Sequence, residues 1–278
     1  MRYKFTKMQS LGNDFVILNG VTEDIRITPN IAKFIADRHF GIGCDQIMIV
    51  EDLPNNPDNK AYRLRIFNSD GSEVGQCGNG ARCFAGYLRD QGLIKGNAVS
   101  VETFNTQLDL NLNDDGTVTV GMGLPIIDPV EIPLAVGSQN LTYALEFQGR
   151  IIEFSALSMG NPHCVLDVDD VETADVEHIG PALECHPIFP QKANIGFAHY
   201  YSRSALNLRV FERGVGETLG CGSGACAAAV AGIRRKILDR RVQVHLPGGS
   251  VEVFWPEDDS QVYLSGEIHR VFDGSIEV

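Results

Sequence analysis

Cys77 and Cys221 each stand directly before a glycine at the head of a run that reads as a helix: Cys77-Gly78-Asn79-Gly80-Ala81 and Cys221-Gly222-Ser223-Gly224-Ala225. A helix N-terminus gathers backbone N–H groups without intrahelical partners and the positive end of the helix dipole. That setting can lower a thiol pKa from about 8.5 towards neutrality or below. A thiolate in one copy and a thiol in the other would form a matched base and acid. The N–H groups of Gly78, Asn79, Gly222 and Ser223 would also cradle a carboxylate. Fixed donors there stabilise the negative charge that develops when the neighbouring carbon loses a proton. The chemistry implied is removal and return of a proton at a carbon next to a carboxylate.

The elements that hold these cysteines occur twice. Arg65-Ile66-Phe67 recurs as Arg209-Val210-Phe211, Glu73 as Glu217, and the first cysteine motif as the second, all at one spacing of 144 residues (65 to 209, 77 to 221). Each copy reads as strand, loop, cysteine-glycine turn and helix, and a spacing near half the chain length implies two copies rather than a solenoid. Val118-Thr119-Val120, Leu206 to Val210 and Val242 to Leu246 alternate with the period of half-buried strands. Ala81, Phe84, Ala85 and Leu88 have helical spacing, with Gly92 as a C-terminal stop. The run Gly224 to Ile233 is small and apolar all round, so it must be buried on nearly every side. The expected fold is α+β, with two pseudo-symmetric domains, each a curled mixed or antiparallel sheet around a central helix. Turn residues between Gly121 and Pro125 place the boundary there, giving residues 1–122 and 123–265.

Composition narrows the function. The 278 residues carry 23 basic and 36 acidic side chains, a net charge of -13, which argues against a nucleic-acid or anionic-membrane surface. No apolar run approaches the roughly 20 residues of a membrane-spanning helix. Residues Met1 to Lys7 lead into Asn13 and Asp14 rather than a signal-peptide core, so a cytoplasmic chain beginning at Met1 is expected. Seven cysteines spread over such a chain read as reduced thiols. The spacings Cys77 to Cys83 and Cys221 to Cys226 do not fit a zinc knuckle. Cys83 and Cys226 read as core residues inside the helices, and Cys44, Cys164 and Cys185 as structural.

The run Gln76-Cys77-Gly78-Asn79-Gly80-Ala81-Arg82-Cys83, together with Glu212-Arg213-Gly214-Val215-Gly216-Glu217-Thr218-Leu219-Gly220-Cys221-Gly222-Ser223-Gly224, resembles the diaminopimelate epimerases. So do Lys7 to Phe15, Gly41 to Gln46 and Ser158-Met159-Gly160-Asn161-Pro162-His163, and the resemblance is nearly full length. It implies a fold of two sheet-wrapped helices, an active site in the cleft between domains, and catalysis without pyridoxal phosphate, metal or other cofactor. It further implies that the strand over residues 266–278 returns to the first domain. Carried over by motif, Cys77 and Cys221 are the acid/base pair, with His163 and Glu212 nearby and important for activity. Asn13, Gln46, Asn68, Asn161, Asn194 and Arg213 bind the substrate with backbone groups at Gly78, Asn79, Gly222 and Ser223. Amides and a guanidinium suit a substrate with an amine and a carboxylate at each end. A homodimer is also implied, although Phe272 stands where many relatives place a tyrosine linked to dimer contacts. Two other readings remain. One is a proline racemase-like enzyme, a group that favours histidine where this chain has Asn79. The other is a non-catalytic thiol, redox or metal-binding protein.

Overall fold

Phe15-Val16-Ile17-Leu18 and Ile47-Met48-Ile49-Val50 are apolar at every position, the pattern of strands covered on both faces. They belong to a parallel pair, and parallel strands need a crossover between them. The computed structural model describes residues 1–53, 61–75, 77–104 and 107–278; Gln76 of the cysteine motif lies outside them. Its chain divides into two compact units, Met1–Gly121 with Ser265–Val278, and Met122–Leu264.

In the first unit, β1 (Arg2–Ser10) and β2 (Asn13–Asn19) form a hairpin, and α1 (Pro29–Ala36) crosses to β3 (Gln46–Asp52), parallel to β2. β4 (Ala61–Asn68) returns antiparallel and pairs with the short β5 (Glu73–Val74). α2 (Gly78–Asp90) then crosses to β6 (Ala98–Glu102), parallel to β4, followed by β7 (Gln107–Leu112) and β8 (Val118–Gly121).

The second unit repeats this connectivity. β9 (Tyr143–Phe147) and β10 (Arg150–Ser158) lead to β11 (Pro162–Asp167), and α3 (Val176–Glu184) crosses to the parallel β12 (Asn194–Ser202). β13 (Ala205–Glu212), β14 (Gly216–Thr218), α4 (Gly222–Arg234), β15 (Arg241–Leu246) and β16 (Gly249–Phe254) follow in the same order. β17 (Tyr263–Gly266) spans the point where the chain rejoins the first unit, and β18 (His269–Glu277) pairs antiparallel with β1.

Each unit wraps its sheet around one helix. α2 packs against β1, β2, β7 and β8, and α4 against β10 to β13, β15 and β16. Burial explains their composition: Ala81, Phe84, Ala85 and Leu88 of α2 are fully buried, as are Ala225 to Val230 of α4. The recurring Arg–Glu pair braces each hairpin that leads to a helix, with Arg65 Nε 2.7 Å from Glu73 Oε1 and Arg209 Nε 2.6 Å from Glu217 Oε1.

α1 and α3 are helices that the strand-dominated reading of the sequence omits. α1 has an N-cap in Thr28, whose hydroxyl accepts from Ile31 N at 3.3 Å, and proline at its first position. α3 has no side-chain cap bond and contains Pro181, so its local signal is weak. α1 buries Ala32 and Ile35 against Val16, Leu18, Ile47 and Ile49, and α3 buries Val176 and Leu183 in the matching cluster of the second unit.

The loop after α1 turns sharply at Gly41. A Cβ there would lie 1.8 Å from the Phe34 carbonyl oxygen and 2.8 Å from that of Ile35, both backbone atoms of the helix end. Gly41→Ala is therefore expected to destabilise the fold by about 2 kcal/mol or more. A thermal melt within experimental error of the wild type would show that the loop accommodates the methyl group.

Candidate active site

Both cysteines occupy helix N-cap positions, Cys77 on α2 and Cys221 on α4, each with extended backbone angles. Glycine at the third helical position lets the sulfur sit over the first turn. A Cβ at Gly80 would be 3.3 Å from Cys77 Sγ, and one at Gly224 would be 3.2 Å from Cys221 Sγ and 3.0 Å from Val210 Cγ2. Gly78 and Asn79, and Gly222 and Ser223, thus fill the first two positions of their helices.

The strand framework extends the repeat beyond the cysteines. Ser10-Leu11-Gly12-Asn13 and Ser158-Met159-Gly160-Asn161 form the equivalent β1–β2 and β10–β11 turns, with Gly12 and Gly160 both at positive φ. Phe15 pairs with Gln46, and His163 with Asn194, in matching parallel registers. These positions are 148 residues apart (13 to 161, 46 to 194), whereas those from β4 onward are 144 apart. Asn68 at the end of β4 consequently corresponds to Glu212 at the end of β13.

That correspondence exposes a chemical asymmetry. In the second unit the buried Cys221 thiol donates to Glu212 Oε2 at 3.0 Å, and its sulfur lies 3.6 Å from Ser223 Oγ. Glu212 Oε1 accepts from Thr218 Oγ1 at 2.6 Å. Thr218 has a positioning contact that its place in the motif did not reveal, because the contact depends on the β13–β14 hairpin. Burial pushes the Cys221 thiol well above its ordinary pKa, and the Glu212 charge and hydrogen bond push it further. Ser223 and the Gly224 N–H oppose the rise without reversing it. These surroundings favour the protonated thiol at Cys221, the donor half of the base-and-acid pair.

His163 is 1% exposed, and its Nε2 lies 3.0 Å from Asn161 Oδ1. Burial, followed by the charge of Arg213, lowers its pKa to about 3, so the ring is neutral at cellular pH. Asn194 is also buried: its Nδ2 donates to the Pro162 carbonyl at 3.0 Å, and its Oδ1 accepts from Arg213 N at 3.0 Å. Arg213 is exposed, with Nη1 donating to the Gln191 carbonyl at 3.1 Å.

The first unit carries the amide of Asn68 where the second has Glu212, and Phe15 where the second has His163. Cys77 Sγ accepts from Gly80 N at 3.4 Å and lies 3.8 Å from Asn13 Oδ1. Gln46 Nε2 donates to Asn68 Oδ1 at 2.9 Å, while Gln46 Oε1 is buried and accepts no hydrogen bond among the described residues. The Asn79 side chain turns inward, accepting from the buried Arg82 at 2.9 Å, so its backbone is the part suited to a ligand. Among the described residues, no three His, Cys, Asp or Glu side chains converge as metal ligands. No described helix is long and apolar enough to cross a membrane.

The architecture is that of a duplicated fold seen in amino-acid epimerases and other proteins. A hydroxyproline epimerase from Agrobacterium vitis superposes with a TM-score of 0.70 at 12% identity, covering 99% of this chain and 92% of its own. A phenazine biosynthesis protein of the PhzF family from Bacillus anthracis does so with a TM-score of 0.67 at 15% identity, covering 100% of both chains. At these identities the likeness defines the fold. The diaminopimelate epimerase family model matches residues 5–127 and 155–271. Diaminopimelate epimerases from Teredinibacter turnerae and Nitrosomonas europaea are 48% and 47% identical over 278 residues, covering 100% of this chain and of theirs. The chain belongs to the diaminopimelate epimerase family.

If Glu212 helps hold Cys221 protonated, Glu212→Gln should lower the pH midpoint for alkylation of Cys221 by iodoacetamide. Burial should still keep that midpoint above the ordinary thiol range. Peptide mass spectrometry across a pH series reads this directly, and an unchanged midpoint would remove Glu212 from the role.

Proposed function

We propose that this protein converts LL-diaminopimelate to meso-diaminopimelate by proton transfer between the substrate and two cysteines, Cys77 and Cys221, acting on opposite faces of one carbon. The observation that carries this reading is the pair of equivalent helix N-caps bearing sulfur in chemically unequal surroundings. Cys221 enters as the thiol that donates, buried and hydrogen-bonded to Glu212. Cys77 is the base that accepts the α proton, its sulfur lying 3.8 Å from the Asn13 amide oxygen. Transfer in the reverse direction exchanges these duties.

As the α proton leaves, charge moves into the adjacent carboxylate. The N–H groups of Gly78, Asn79, Gly222 and Ser223 are assigned to that charge, because donors fixed in place need no reorganisation when it develops. Gln46 Oε1, buried and still able to accept, suits an ammonium group, and the exposed Arg213 guanidinium suits a distal carboxylate. Asn13, Asn68 and Asn161 complete the proposed substrate contacts. Asn194, with both ends of its amide engaged by backbone, supports the reading by fixing the strand ends. Neutral His163, tied to Asn161, is assigned to orientation and proton placement.

No cofactor enters the proposed reaction, and the setting is the cytoplasm. A homodimer using β18 is included in the proposal, since Val271 and Phe272 on that strand are 55% and 47% exposed. The residue after Cys77-Gly78 is Asn79, which favours this reading over a proline racemase-like one.

Cys77→Ala and Cys221→Ala should each keep the fold and lower epimerisation at least about 100-fold, the lower range for loss of a general acid or base. Near-normal turnover in either variant would refute the pair. In deuterium oxide at low conversion, meso product formed from LL-diaminopimelate should carry deuterium at the inverted carbon while recovered substrate stays protonated. Mass spectrometry of the separated isomers decides it. Product that keeps its original hydrogen, or substrate exchanging faster than it inverts, would exclude two independent thiols.

A further inference from the structure

A four-residue charge network lies behind Asn13, the side chain that meets Cys77. One oxygen of Asp45, Oδ2, accepts from Asn13 Nδ2 at 2.7 Å and from Asp14 N at 3.1 Å. The other, Oδ1, accepts from Arg38 Nη2 at 2.8 Å. Arg38 also grips Asp14, with Nη1 3.0 Å from Oδ2 and Nη2 2.9 Å from Oδ1. Asp14 returns the backbone contact by accepting from Asp45 N at 2.8 Å, and Lys7 Nζ lies 2.7 Å from Asp14 Oδ2. The network thus holds the Asn13 amide through Asp45, which Arg38 joins to Asp14 and, through it, to Lys7.

The Asp45–Arg38 pair is 44% and 56% exposed, so as a salt bridge it contributes little stability. Its effect is directional. An ionised carboxylate only accepts hydrogen bonds, so the amide edge that faces Asp45 must be the NH₂ edge. The Asn13 oxygen is then turned the other way, where it lies 3.8 Å from Cys77 Sγ. The second copy has no such device: the position equivalent to Asp45 is the buried Ala193, and Asn161 is engaged by the His163 ring instead. The carboxylate occurs only in the copy whose asparagine meets a cysteine.

We propose that Asp45, gripped by Arg38, is a positioning residue that locks the Asn13 amide with its oxygen toward Cys77. This rests on the assignment of Cys77 as an acid/base group. An oxygen toward the sulfur stabilises the thiol, whereas an NH₂ edge would stabilise the thiolate. The lock therefore strengthens Cys77 as an acceptor of the proton and prevents the amide from turning to stabilise it as a thiolate.

The test follows iodoacetamide alkylation of Cys77 against pH by peptide mass spectrometry, without substrate, in full-length wild type, Asp45→Ala and Asp45→Asn. Asp45→Ala removes the acceptor and frees the amide to turn, so the Cys77 midpoint should fall by about one pH unit. Asp45→Asn removes the charge but retains an oxygen acceptor, so the midpoint should stay close to wild type. In both variants the Cys221 midpoint should not move. If Asp45→Ala does not fold, Asp45→Leu carries the same comparison, because its side chain fills a similar space and offers Asn13 no acceptor.

An unchanged Cys77 midpoint in the folded Ala or Leu variant would overturn the proposal. Equal downward shifts with Ala and Asn would also overturn it, by showing that the field of the charge acts rather than the orientation of the amide. The readout needs no turnover, so failure to epimerise diaminopimelate would count against the proposed function and leave the titration result intact.

Discussion

A sulfur seated over the first turn of a buried helix is the constraint on which each half of this chain depends. The N-cap position brings Cys77 and Cys221 to the helix N–H groups, and it leaves each sulfur in tight contact with any Cβ at Gly80 or Gly224; at Gly80, Met48 Cε at 1.7 Å closes the space as well. On the proposed mechanism the helix must in turn be enclosed, because a carboxylate cradle is effective only where water does not compete for its donors. Enclosure accounts for the all-buried faces of α2 and α4 and for the parallel strand pairs whose ends carry the polar residues.

Within that common frame the two halves use different chemistry. Asn68 and Glu212 end equivalent strands, and Phe15 and His163 occupy equivalent registers. The helix dipole favours a thiolate at both N-caps, but at Cys221 burial and the neighbouring carboxylate outweigh it. Proximity to a helix N-terminus therefore does not by itself decide the protonation state of a cysteine. What lies on the other side of the sulfur decides it.

The sequence made some of this legible and concealed the rest for identifiable reasons. The cysteine motifs, the Arg65–Glu73 and Arg209–Glu217 pairs and the central helices share one spacing, so their repetition can be read directly. The equivalence of Asn13 with Asn161 follows a second spacing marked by a shared Ser-x-Gly-Asn run, and that of Gln46 with Asn194 emerges from strand register. The contacts of Thr218 and Asp45 are closed by a hairpin and by a loop packed beside one, so neighbouring letters give no sign of them. α3 leaves little local signal because it lacks a side-chain cap bond and carries an internal proline, and its apolar positions are satisfied by packing against the sheet.

The inequality between the two thiols has a kinetic consequence. On the proposed mechanism, each inversion leaves the empty enzyme with its proton on the other sulfur, the form suited to the product's handedness. Before a second molecule of the same isomer can react, the enzyme must return that proton through solvent or neighbouring groups. Glu212 makes one of the two empty forms higher in energy than the other, since a Cys221 thiolate would face a carboxylate at hydrogen-bonding distance. The free protein is thus an intermediate with its own step in the cycle. Abundant substrate speeds binding but not this resetting step, so on the proposed mechanism the reset sets an upper bound on turnover.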